Sequence, residues 1–209
     1  MRQLKLICAA VAVAALLAPV ALAQELGGAD RVKVSFNEVE HGGYAGAEFG
    51  LLYLEAPGIG RGLGGGNVIG LHLGYDFSQY LGVGFFAMVA AVSSPVGYGG
   101  LGDGTQQGDF TAILPGLEVR LHLPLAKDQN DVNRLFFNLG LGGGVMFLQP
   151  RALFPSEGIA PAGKVDVGLE YFTRLRHFSM GLALEALAAF PSGGQIFGGD
   201  LAPFLRYTF

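Results

Sequence analysis

Tryptophan is absent from the chain, and cysteine occurs once, at position 8. A lone thiol excludes an internal disulfide framework and a multi-cysteine metal site. Charge is scarce as well: Asp, Glu, Lys and Arg make up 14% of residues, where a globular domain carries about 25%. The 13 basic and 17 acidic residues give a net charge of −4 with no basic tract, which speaks against a nucleic-acid partner. Long hydrophobic runs are missing beyond the first 23 residues, so no spanning helix of about 20 apolar residues can be drawn there. Yet 51% of the chain is apolar. That content must be spread over many short segments.

The one long run, Leu6 to Val20, follows Arg2 and Lys5 and leads into Ala21-Leu22-Ala23. A positive start, an apolar middle and small residues at an A-x-A site are the layout of a secretory signal, here cleaved near Ala23. Cys8 lies inside it, behind bulky Ile7, and is unlike a lipid-attachment cysteine. Cleavage leaves 11 basic and 17 acidic residues, a net charge of −6.

What the chain does have is glycine, 35 residues of it, and strict alternation. Period-two patterns run over 44–55, 67–77, 80–92, 110–123, 134–148, 162–172, 177–189 and 200–209. Each segment is as long as the roughly 9–11 residues of a tilted membrane-crossing strand, or longer. Connectors at 56–66, 93–109, 149–161 and 190–199 are long, those at 78–79 and 173–176 are short, and 124–133 is intermediate. Long loops at one end and tight turns at the other are the habit of outer-membrane barrels. Residues 24–41 read as a periplasmic lead-in, with a ninth short strand as the alternative, and 42–209 as the barrel.

On one side every segment is apolar, as in Phe49, Leu51 and Tyr53 or Leu201, Leu205 and Tyr207. The other side mixes glycines (46, 50, 70, 74, 82, 84, 116, 140, 142, 144, 168 and 181) with Phe86, Phe136, Met146, Phe172 and Phe204. A wet sheet face would favour Thr, Lys and Ser over strand-weakening glycine. Inside a narrow barrel, glycine instead makes room for a large neighbour. The fold predicted is all-β, an eight-stranded antiparallel up-and-down transmembrane β-barrel, in preference to a soluble sandwich. Pro115 stands inside the segment with the clearest alternation, where it donates no ladder hydrogen bond.

The predicted lumen list is Glu48, His72, Glu118, Arg120, His122, Lys164, Asp166, Glu170, Glu185 and Arg206. Buried charges must be paired, so Arg120 and Arg206 are expected to bridge Glu118, Glu170, Glu185 and Glu48 in a polar plug. The plug is read as structural, with a narrow gated path for ions as the alternative. His177, Ser179 and Glu185 superficially form a hydrolytic set. Glu185 lies eight residues beyond His177, roughly 26 Å at strand rise, so catalysis is not expected. "GYGGLG" (97–102) and "GIGRGLGGG" (58–66) open no helix and read as loops, and "GDGTQQGD" lacks a calcium-loop spacing. No metal and no cofactor is expected. Loop residues Ile59, Leu63, Leu101, Leu153, Phe154, Ile196 and Phe197 are candidate docking points.

The signal, the eight alternating segments and the closing "LRYTF" resemble the small outer-membrane barrels of the OmpA/OmpX type. That resemblance implies outer-membrane lipid as surroundings, and a C-terminal strand, with Leu205, Tyr207 and Phe209 on one side, that is read by the barrel-assembly machinery. The texture of "EHGGYAGAEFGLLYLEAPG" and the Gly-rich strands is similar to the CglE-like barrels of the myxobacterial adventurous gliding motility family. This implies other envelope or motility proteins as partners, and a role as envelope anchor or machinery subunit. A lipid-modifying enzyme is the third reading.

Overall fold

The computed structural model describes residues 41–55, 64–99, 105–149, 159–175, 177–191 and 194–209. The secretory signal, the lead-in up to residue 40, and Ile59, Leu63, Leu101, Leu153 and Phe154 fall outside these residues. Eight strands follow one another: β1 Gly43–Glu55, β2 Gly65–Asp76, β3 Leu81–Gly99, β4 Thr105–Lys127, β5 Asn133–Gln149, β6 Ile159–Phe172, β7 Phe178–Ala189 and β8 Ile196–Thr208. Each pairs antiparallel with its sequence neighbours, and β8 closes on β1. Closure leaves no sheet edge along the wall.

The bounds differ from the sequence reading mainly on the loop side. β3 and β4 stay paired out to Gly99 and Thr105, so most of the segment read as the loop 93–109 is hairpin. The turn-side connector also tightens, because β4 continues to Lys127. There Asp128 accepts hydrogen bonds from the amides of Asn130 (2.7 Å) and Val132 (3.2 Å), and Asp131 takes a left-handed φ of 66° that Asp tolerates in turns.

Alternation sorts the side chains as the period requires. Leu51, Leu117, Leu141 and Phe209 are each 65–70% exposed on the outside, while Leu54, Val68, Phe86 and Ile196 are fully buried within. The outer belt carries aromatics at both ends: Tyr75, Phe77, Tyr80, Tyr207 and Phe209 towards the turns, and Tyr53, Phe190 and Phe197 towards the loops. Such girdles flank the apolar band of membrane barrels.

Inward glycines are placed where large neighbours need their space. A methyl group at Gly74 or Gly84 would collide with the Tyr44 ring and hydroxyl, at Gly116 or Gly142 with Phe86, and at Gly181 with Phe204. Prolines leave a local mark on the ladders. β4 and β5 keep their register across Leu114 and Pro115, which have no pairing, and β1 and β8 likewise skip the rungs of Pro203 and Ala202. On their other sides Pro115 pairs with Ala87 and Pro203 with Leu182. A residue's N–H and C=O point to one neighbour only, so the missing donor interrupts one ladder and spares the other. Gly144 and Gly50 stand beside these gaps, where a Cβ would strike the backbone of Pro115 and of Leu201 and Ala202.

The C-terminal strand is tied at its end. The amide of Phe209 donates to the Gly43 carbonyl (2.8 Å) and that of Thr208 to the His177 carbonyl (2.7 Å). The Phe209 ring covers Gly43, a position where a side chain would collide with it.

Candidate functional site: the charged layer of the lumen

Two kinds of filling share the lumen. Towards the loops, the inward positions are Leu52, Leu54, Val68, Met88, Ala90, Val92, Phe110, Leu114, Met146, Leu148, Leu187 and Ile196, which form one apolar cluster with Phe86 at its base. The polar residues of the expected plug occupy the turn-side half, with a smaller apolar cluster of Val132, Phe136 and Phe172 beyond them. Their inward phase persists, but the strand ends nearer the loops carry aliphatic residues at those positions. Ile196, read as a loop docking point, lies fully buried in this cluster, whereas Phe197 faces outward.

All ten residues of the predicted lumen list are buried, none more than 8% exposed. They fall into two groups. In the first, Glu118 is the centre: its Oε1 accepts from Arg120 Nη2 (3.1 Å) and meets His72 Nδ1 (3.0 Å), and its Oε2 lies 3.2 Å from Lys164 Nζ. His72 Nε2 is 3.2 Å from Glu48. Lys164 also donates to both oxygens of Glu185 (3.2 Å each), stands 3.7 Å from Asp166, and lies 4.5 Å from the centre of the Phe86 ring. That lysine joins the charged layer to the base of the apolar one.

In the second group, Glu170 accepts from Ser179 Oγ (2.5 Å) and from Asn138 Nδ2 (2.7 Å), and Arg206 Nη1 lies 3.8 Å away. Arg206 donates to Asp76 and stacks 3.8 Å above the Tyr44 ring. Asn138 Oδ1 meets His122 Nδ1 at 2.9 Å. Of the expected bridges, Arg120–Glu118 and Arg206–Glu170 are present. Glu48 and Glu185 are held by His72 and Lys164 instead.

Sequence reasoning passed over Tyr44, Asp76, Asn138, Asp200 and Thr208, all buried in the lumen. The signal was there: Asp76 shares its phase with His72, Asp200 with Arg206, and Tyr44 with Glu48. Among the described residues the layer then holds seven carboxylates (Glu48, Asp76, Glu118, Asp166, Glu170, Glu185 and Asp200) against Arg120, Lys164 and Arg206.

His177 and Ser179 part company. The imidazole stacks on outward Tyr207, with ring centres 5.5 Å apart and Nδ1 2.9 Å from the Thr208 carbonyl, while Ser179 turns to Glu170. No described group of three His, Cys, Asp or Glu is arranged to hold a metal ion.

On the turn side, Arg134 clamps two turns by donating to Asp128 (3.0 Å) and to the Thr173 carbonyl (2.7 Å). Partial burial pushes the Asp128 carboxyl up. The Arg134 bond and the amides of Asn130 and Val132 outweigh it and hold Asp128 below the usual aspartate value.

No protein-family model matches this chain, and no curated protein does. Solved structures do. Neisserial surface protein A superimposes with a TM-score of 0.57 at 11% identity, covering 80% of this chain and 97% of that one. OprG from Pseudomonas aeruginosa gives 0.49 at 14% identity, over 81% and 98%. The outer membrane enzyme PagL gives 0.44 at 11% identity, over 79% and 99%. Likeness at such identities concerns the fold and leaves substrate and partner open. The chain has the fold of the small eight-stranded outer-membrane β-barrels.

Proposed function

We propose that the protein is a non-enzymatic barrel of the bacterial outer membrane that serves as an envelope anchor or as the membrane subunit of a larger machinery. The observation that carries this reading is the double filling of the lumen: an apolar cluster towards the loops, backed by a buried, cross-linked charged layer towards the turns. A conducting barrel needs a continuous wet path, and a layer of Leu, Val, Phe and Met leaves no polar lining for one. The belt of exposed Leu, Phe and Tyr side chains suits hydrocarbon and would be costly in water. Catalysis finds no support, since Ser179 is engaged by Glu170 and His177 turns away from it.

In this reading residues 1–23 are the export signal, and Leu205, Tyr207 and Phe209 face the assembly machinery before they face lipid. Envelope proteins, motility proteins among them by the sequence resemblance, are the partner class. Affinity purification from gently solubilised outer membranes tests it. A reproducible set of envelope companions is the expected result; recovery of the barrel alone, under conditions that preserve other envelope complexes, would contradict a machinery role.

A further inference from the structure

The antiparallel registers place three acidic side chains on one rung. Asp166 of β6 is directly opposite Glu185 of β7, and Glu185 is directly opposite Asp200 of β8. All three face the lumen and are at most 4% exposed. Direct cross-strand neighbours stand about 5 Å apart at Cβ, and like charges there repel. Lys164 is the cation that touches this rung, at Glu185 and Asp166, and it is shared with Glu118. Among the described residues Asp200 has no ion-pair partner, and both of its oxygens are buried without a hydrogen-bond partner.

Space adjoins the rung. The next inward positions along the same three strands are Gly168, Ala183 and Ala202, which also pair with one another. Gly168 and Ala183 line a cavity of about 20 Å³ together with Asp166, Glu185, Glu48 and His72. That is room for one or two water-sized occupants. One oxygen of Glu48 and one of Asp166 are buried there without a hydrogen-bond partner.

A buried carboxylate with no counter-charge costs several kcal/mol, and the group escapes that cost by capturing a positive charge. We propose that the Asp166–Glu185–Asp200 rung takes up one proton from solution, held among its carboxylates, which offsets part of the negative charge that Lys164 leaves unbalanced. The titratable and charged groups around it are Lys164 beside Asp166 on β6, Tyr44 and Glu48 on β1, His72 on β2, Glu118 and Arg120 on β4, and Arg206 on β8. A metal ion is not the reading, since no described trio of ligands converges on one point. The inference does not depend on whether the barrel anchors a partner.

The test uses the refolded full-length mature barrel in detergent micelles and reads the thermal unfolding midpoint. Wild type is compared in sodium chloride, potassium chloride and N-methylglucamine chloride at equal ionic strength, over pH 6 to 9. With a proton on the rung, the three salts agree and the midpoint falls by about 5 °C as pH rises. That fall is expected to vanish in D200N, whose midpoint should lie above that of wild type at pH 9. A midpoint that follows the alkali cation instead of pH overturns the proposal. A wild-type midpoint indifferent to both cation and pH overturns the proposal without recourse to any variant. A response that persists unchanged in a folded D200N also overturns it.

Discussion

The two halves of the lumen are filled by opposite means, though one set of eight strands builds both. Towards the loops, Leu52, Leu54, Val68, Met88, Leu148 and Ile196 meet as a non-directional apolar cluster, whose contribution follows area and volume. Towards the turns, Glu118, Lys164, Glu170, Arg206 and their neighbours depend on pairing, where each loss leaves a partner buried and uncompensated. The apolar half should therefore tolerate changes of identity that keep volume, and the paired members of the charged half should tolerate almost none. Phe86 and Lys164 stand at the contact between the halves.

The largest effect should come from Lys164→Met. It keeps the bulk of the stem but strands Glu185, Asp166 and one oxygen of Glu118, and should cost about 4 kcal/mol, read as a fall in the urea midpoint of the refolded barrel. Next comes Phe86→Ala, which empties the base of the apolar cluster and should cost about 3 kcal/mol in the same assay. If Phe86→Ala proved the more damaging, the contrast between the halves would be reversed.

A smaller effect sharpens the packing side of the comparison. Gly116→Ala should destabilise by about 1–2 kcal/mol, because its methyl group would collide with the Phe86 ring and with the Gly143 carbonyl oxygen. In the Phe86→Ala background the ring's share of that cost should disappear while the backbone contact remains, a coupling that a double-mutant cycle measures. Additive effects would mean that the glycine is not there for the ring.

The smallest effect belongs to the turn-side surface. Asp128 is held below its usual value, so its clamp on Arg134 stabilises the fold at neutral pH, and that contribution is lost as pH falls through the native value, below the ordinary aspartate range. Both side chains are partly exposed, so only a few tenths of a kcal/mol are expected. Asp128→Asn should lower stability at neutral pH by that amount and leave the acid end, where Asp128 is already protonated, unchanged, so that the acid limb flattens.

Phase was the legible part of this chain. Alternation alone sorts Phe49, Leu117 and Leu205 to one side and Phe86, Glu118 and Arg206 to the other, because the strand period is two and the wall is closed. Partner choice was not legible. Arg206 finds Asp76 across 130 residues of sequence, and that meeting is set by barrel closure and strand stagger, which no local pattern encodes. The boundary between the two fillings was written in Leu52, Leu54 and Val68 at inward phase, but near strand ends such residues are hard to tell from loop residues. Strand ends were obscured too: Ser93-Ser94 and Tyr98-Gly99 read as loop, yet both pairs of residues pair with β4, on either side of a register shift.

Electrical recording tests the sealed lumen most directly. Wild-type barrel inserted into planar bilayers should show no steady conductance over the baseline, since the apolar cluster and the charged layer both lie across the path. A steady ohmic current from the wild-type protein would contradict the account.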